Sequence, residues 1–268
     1  MRANRLDAIA GLRWIGEAFR VFRVAPLRQL ACGLVFLFAV TFTLAFPLVG
    51  FALVWLLIPA LLVGPHAVSR AASRGTVPGP ALLVSGFRSN FAVQLRLGGV
   101  YLCGMAAVLV ATIPADEGRF AQAMLGTLRL GVEDLQGNDV QRAMLVGAAL
   151  QTLLLAALWY APLLVAWQGV AVSKAVFFSV AAAFINWRPL LVYGAGMALL
   201  FALVLLLALS GAMLFGGARA LQANSALFAA IWTLLPVWFA SSYVSYRDVF
   251  EAEKPASGEA GKSPTIPL

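Results

Sequence analysis

Side chains able to do chemistry are few in this sequence, and they are scattered. His66 is the single histidine, with no His or Cys at metal-ligand spacing, so it reads as an interface residue rather than a ligand. Cys32 and Cys103 both fall in uncharged runs and are expected to be buried free thiols, which behave as small apolar groups. Five carboxylates, Asp116, Glu117, Glu133, Asp134 and Asp139, gather between 114 and 141. Such a set could hold a divalent cation or a partner; the preferred reading is a solvated loop. Arg247 beside Asp248 could hold a phospholipid headgroup, while the ordinary reading of Ser245, Tyr246 and Arg247 is an aromatic belt with a snorkelling arginine. No phosphate-binding glycine loop and no Ser-His-Asp order occurs.

These residues must be positioned by a membrane-spanning bundle. Of 268 residues, 62% are hydrophobic and 11% charged, against roughly 45–50% and about 25% in an ordinary soluble domain. So few charges could not solvate a globule of this size. A soluble enzyme, a disordered chain and a secreted disulfide scaffold are excluded together. Residues 29–65 carry no charge; as one helix they would measure about 56 Å at about 1.5 Å per residue, against a bilayer core of about 30 Å. The run must cross twice, turning at Pro47, with spans near 29–46 and 48–68. The uncharged runs 97–115, 143–173, 189–218 and 220–246 each supply one more. Six transmembrane helices follow. A barrel is excluded because the runs are continuously apolar rather than alternating.

Lys and Arg set the orientation. Fifteen lie on one side, from Arg2 to Arg28, at Arg70, Arg74, Arg88, Arg96, Lys174 and Arg188, and in the tail; four lie on the other, Arg119, Arg129, Arg142 and Arg219. Both termini are therefore expected in the cytoplasm. The net charge of +8 reflects this bias and an attraction to anionic lipid; no nucleic-acid motif accompanies it. No cleavable signal peptide is expected.

Short stripes precede each pair of spans: Leu12, Ile15, Phe19, Phe22; Val84, Phe87, Phe91; and Phe177, Val180, Phe184, Trp187. Their helical spacing predicts interfacial helices lying on the cytoplasmic surface. Trp55–Pro59, Trp159–Pro162 and Trp232–Pro236 recur in the second span of each pair, each followed by a basic residue: Arg70, Lys174 and Arg247. Three copies of a surface helix plus hairpin are expected, near 10–70, 79–174 and 175–248. Small residues at every fourth position, Gly99, Cys103, Ala107, Ala111 and Gly194, Ala198, Ala202, predict internal helix contacts. The spans hold no Asp, Glu, Lys or Arg at their middles, and Thr41, Thr43, Gln151 and Ser210 are expected to be satisfied contacts. This argues against a proton-coupled antiporter, an intramembrane protease or a carboxylate exchanger.

The stretch YAPLLVAWQGVAVSKAVFFSVAAAFINWRPLLVYG, with GLRWIGEAFRVFRVAP and SYRDVF, resembles a proteobacterial family of six-span inner-membrane proteins of unknown function. The likeness covers most of 11–250 and implies an inner-membrane location without supplying catalytic residues. Family members often carry His where Gln168 stands. The architecture is also similar to the membrane region of bacterial glycerophosphodiester phosphodiesterases, without a counterpart of their catalytic domain.

The sequence thus reads as an all-α polytopic membrane protein with cytoplasmic interfacial helices. Residues 1–28 form a cytoplasmic segment, 29–248 the transmembrane domain and 249–268 a disordered cytoplasmic tail. A non-enzymatic role through lipid or membrane-protein contacts is expected, with no cofactor, no metal and no nucleic acid. Lys174, Phe177, Phe184, Asn186, Trp187, Arg188 and Arg247 are the contact candidates. The alternative is a transporter or channel for a small neutral or amphiphilic solute.

Overall fold

The computed structural model describes residues 3–215 and 223–251. Arg2, Arg219 and most of the expected tail, with Lys254 and Lys262, lie outside the described residues.

The secondary structure is all helical among the described residues: α1 Ala10–Val24, α2 Pro26–Leu44, α3 Val49–Ser73, a 3₁₀ turn Pro80–Val84, α4 Ser85–Arg88, α5 Phe91–Asp116, α6 Arg119–Met124, α7 Val132–Gln136, α8 Asn138–Ala157, α9 Ala161–Gln168, α10 Val172–Ile185, α11 Trp187–Phe215 and α12 Ala223–Phe250. Six helical stretches are long and apolar enough to cross a membrane: Pro26–Leu44, Val49–Ser73, Phe91–Asp116, Asn138–Gln168, Trp187–Gly211 and Ser225–Phe250. Pro26 opens α2 at a position where its missing N–H costs nothing. The chain reverses at Pro47, as its sequence predicts. The last helix reaches Phe250, two residues beyond the expected boundary.

A shorter helical segment does precede each pair of spans. The middle one is reduced to a 3₁₀ turn and the single turn α4. Pro78 and Pro80 flank Gly79 there, and Gly86 lies against the α3 backbone, where a methyl would strike the Ala60 carbonyl. In α1 the buried stripe is Trp14, Ala18 and Val21, whereas Leu12 is exposed and Ile15, Phe19 and Phe22 are half-buried. The helix packs against α11, α12 and α3, with Ile15 and Phe19 lying at the margin of core clusters.

The α3–α5 seam is built on backbone contact. A methyl at Gly98 would be driven into the Leu56 carbonyl, and one at Gly64 into the Leu83 carbonyl. Positions 56, 60 and 64 repeat at one helical turn, so a single ridge of α3 meets α5, α4 and the 3₁₀ turn. Without a hydrophobic drive between helices in lipid, such close approach supplies the packing.

The fourth span is broken. Leu158, Trp159 and Tyr160 form a turn between α8 and α9, and Pro162 sits in the first turn of α9. Bare backbone at this depth must find partners inside the protein. Ser179 of α10 supplies two: its hydroxyl accepts from the Tyr160 N–H at 3.0 Å and donates to the Ala157 carbonyl at 2.8 Å. From α5, Tyr101 donates to the Leu158 carbonyl at 2.8 Å and Gln94 to that of Pro162 at 2.9 Å, and Asn90, just before α5, donates to that of Val165 at 3.3 Å. The largest core cluster gathers here, with Leu97, Tyr101, Tyr160, Leu163 and Leu164 packed against Tyr246 and Phe250.

The small-residue stripes face the other way from expectation. Cys103, Ala107 and Ala111 are exposed, as are Gly194, Ala198 and Ala202, and a methyl at Gly99 or Gly194 would meet nothing. The thiol expected to be buried at Cys103 is exposed; Cys32 is buried, and both are free. Periodicity shows that residues share a face. It does not show which way the face points.

Candidate functional site

Both described ends of the chain meet at one end of the bundle, where the Asn4 N–H donates to the Val249 carbonyl at 2.9 Å. This is the basic end, carrying the cations from Arg5 to Arg28, from Arg70 to Arg96, and Lys174, Arg188 and Arg247.

Its centre is the last turns of α12. Over 241–248 nearly every polar side chain bonds a different element. Ser241 meets the Tyr193 hydroxyl at 2.9 Å, and Ser73 donates to the Tyr243 hydroxyl at 3.2 Å. Trp159 donates to Ser245 at 3.2 Å and Gln168 to the Tyr246 hydroxyl at 3.1 Å. His66 is buried, with Nδ1 2.6 Å from the Leu62 carbonyl and Nε2 2.9 Å from the Ser242 hydroxyl. A carbonyl can only accept, so Nδ1 carries the proton and Ser242 donates to Nε2. His66 is a packing residue between α3 and α12. The segment expected to be an aromatic belt is instead a buried polar seam.

Arg247 donates to Glu17 at 2.7 Å and to Asp248 at 2.8 Å. The other Asp248 oxygen accepts from the indole N–H of Trp14 at 3.1 Å. Arg70 lies 4.6 Å above the Trp167 ring and pairs with Glu251 at 3.1 Å. The Glu17–Arg247 pair borders two polar clefts, one of about 1390 Å³ toward Asn4, Arg5 and Arg13, the other of about 260 Å³ toward Arg20 and Ser73. Replacing Asp248 by Asn should lower stability by about 1–2 kcal/mol, because a charge-assisted bond to a half-buried guanidinium is lost. Thermal unfolding in detergent checks this; an unchanged midpoint would remove Asp248 from the seam's energetics.

The contact candidates divide into two groups. Asn186 is fully buried and works as a staple, its Oδ1 accepting from the Leu6 N–H and its Nδ2 donating to the Asn4 carbonyl, both at 2.9 Å. With Arg247 in its ion pairs, these two hold the protein together. Lys174, Phe177, Phe184, Trp187 and Arg188 are exposed on α10 and the start of α11. Phe177 is 67% and Phe184 80% exposed, while Ala175, Ser179 and Ala182 form the buried face of α10. Lys174 and Arg188 make no ion pair with a described residue. The Arg188 guanidinium lies 5.4 Å from the Trp187 ring. A groove of about 480 Å³ runs beside Lys174 between Val170, Ser173, Phe177 and Phe178.

At the opposite end, the carboxylates do not converge on a metal site. Asp116 is buried and accepts from the Gly118 and Phe120 N–H groups, fixing the start of α6. Asp134 pairs with Arg119, and Asp139 with Arg142. The Gly131 N–H, followed by Arg119, holds the Asp134 carboxyl below the usual carboxylate range. Among the described residues no group of three His, Cys, Asp or Glu side chains could hold a metal ion. Thr41, Thr43 and Ser210 donate to carbonyls of their own helices.

No protein-family model and no solved structure matches the chain. A probable inner membrane protein of Burkholderia thailandensis is 32% identical over 270 aligned residues, which cover 96% of this chain and 97% of the relative. Six apolar helices fit that description. The protein belongs to the same family of multi-pass inner-membrane proteins.

Proposed function

We propose that the protein acts without catalysis, as a lipid-contacting inner-membrane protein whose basic end faces the cytoplasm and binds anionic phospholipid beside α10. The excess of described Lys and Arg at that end supports the orientation, with Arg119, Arg129 and Arg142 opposing it. The observation that carries the reading is the outer face of α10. Phe177, Val180, Phe184 and Trp187 are bare, and at each end of the stripe stands a cation with no ion pair among the described residues. An apolar face flanked by cations matches the boundary between acyl chains and negative headgroups. Membrane lipid is the partner, and a membrane-protein partner is the other occupant such a face accepts. Transport of a small neutral or amphiphilic solute is the less supported reading, since the central basic half is tightly packed.

Native mass spectrometry of the protein extracted with its lipids tests this. Each cation near an anionic surface contributes about 1 kcal/mol. Replacing Lys174 and Arg188 together by Ala should therefore weaken retention of phosphatidylglycerol roughly thirtyfold. Unchanged retention in a folded double variant would overturn the proposal.

A further inference from the structure

A second site lies at the other end of the bundle. The α2–α3 turn, α3, α5, α6 and α8 line a pocket of about 310 Å³. Phe51 and Trp55 of α3, Met105 and Leu109 of α5 and Phe120 of α6 supply apolar walls, and Gln151 of α8 supplies the polar side chain. No charged residue lines it. Met105 lies eleven residues from Asp116, the last residue of α5. At about 1.5 Å per residue this places the pocket's inner end about 16 Å down the helix, half of a bilayer core of about 30 Å.

The cover is a built structure. Asp116 fixes α6 through two backbone N–H groups, at 3.0 and 2.6 Å. The Leu48 N–H donates to the Leu125 carbonyl at 2.8 Å, tying the following loop to the hairpin turn. Neither end of the Gln151 amide is paired among the described residues; at Gln29 and Gln94 the NH2 group is paired and only the buried carbonyl oxygen lacks a partner. Gln29 donates to the Val21 carbonyl and Gln94 to that of Pro162, but the half-buried Gln151 makes no hydrogen bond with another described residue. An amide at this depth has no bulk water to replace a missing partner.

We infer that this pocket binds one alkyl chain of a neutral amphiphile, whose hydroxyl or carbonyl hydrogen-bonds Gln151. The absence of charge in the lining selects against a phosphate head. The volume is at the small end of ligand sites, about 300–1,000 Å³, and does not accommodate a two-chain lipid. An amide both donates and accepts, which suits an alcohol or an ester.

Trp55 makes the site readable. The full-length protein in phosphatidylcholine nanodiscs would be titrated with a chain-brominated monoacylglycerol, and tryptophan quenching followed. Quenching should saturate, and Trp55→Phe should remove the saturable part. Gln151→Leu should weaken binding roughly tenfold, the worth of one hydrogen bond. Gly147→Leu should abolish binding by filling the pocket; if that variant elutes as aggregate, Ala123→Phe fills it from α6. The paired Lys174→Ala and Arg188→Ala changes should leave the titration unaltered, which separates this site from the lipid face at the basic end. Non-saturating quenching would overturn the inference. So would saturation unaffected by Gln151→Leu and Ala123→Phe, or equal quenching by a chain-brominated phosphatidylcholine that the monoacylglycerol cannot displace.

Discussion

Replacing Gly98 by Ala is expected to destabilise the bundle by about 3 kcal/mol or more, whereas the same change at Gly99 should be neutral or slightly favourable. The two glycines are neighbours on α5 and share composition, depth and helix. They differ in what a methyl would meet. At Gly98 it would strike the Leu56 carbonyl of α3; at Gly99 it would meet nothing within 4 Å. Backbone cannot step aside as a side chain can, so α3 and α5 would have to separate at a ridge of α3 whose next turns, at Ala60 and Gly64, are packed as closely against α4 and the 3₁₀ turn. Overpacking costs typically 1–3 kcal/mol when side chains can shift, and more when backbone must. At Gly99 the helix preference of Ala, about 0.8–1.0 kcal/mol in water, acts without opposition. Thermal unfolding of the two variants in one detergent decides the matter. Equal midpoints would break the account of the seam.

Ser179→Ala is expected to cost about 2–4 kcal/mol, although it removes one oxygen atom. That oxygen satisfies the Tyr160 N–H and the Ala157 carbonyl together, and Ser179 is fully buried. Each buried backbone group left unpaired costs about 1–3 kcal/mol. Ser210→Ala is the matched control, because that hydroxyl is exposed and donates only to the Leu206 carbonyl of its own helix. Its loss should change the midpoint little. Hydrogen exchange across 157–161 gives a second measurement, with protection falling in the Ser179 variant alone. Retained protection there would mean that the turn closes without α10.

Most of the architecture was legible because charge is intolerant of the bilayer. Arg28, Arg70, Arg96, Lys174, Arg188 and Arg247 bracket the apolar stretches, and that bracketing alone gives six spans and a turn at Pro47. The break at 158–160 was not legible. It lies inside an uncharged run, and the residue that makes it tolerable, Ser179, belongs to another helix. The small-residue stripes were visible as stripes, but their outward direction depends on neighbours that periodicity does not identify. The contact candidates show the same limit. Asn186 and Arg188 are two residues apart and both polar, yet one is a buried staple and the other an exposed cation. Gln151 was expected to be a satisfied contact at depth; it makes no hydrogen bond with a described residue, and that it faces a pocket could only come from the packing of α3, α5 and α6 around it.

The polar seam of α12 carries a consequence for biosynthesis. A polytopic chain enters the membrane from its N-terminus onward, so the partners of Trp14, His66, Ser73, Trp159, Gln168 and Tyr193 are made last. Until α12 arrives, the five earlier spans carry polar groups whose native acceptors and donors do not yet exist. The nascent bundle therefore lacks these bonds at its basic end throughout translation, and they form only once the C-terminal span arrives. A ribosome that stalls before Ser241 would release a chain with every earlier span inserted and none of these bonds to α12 made.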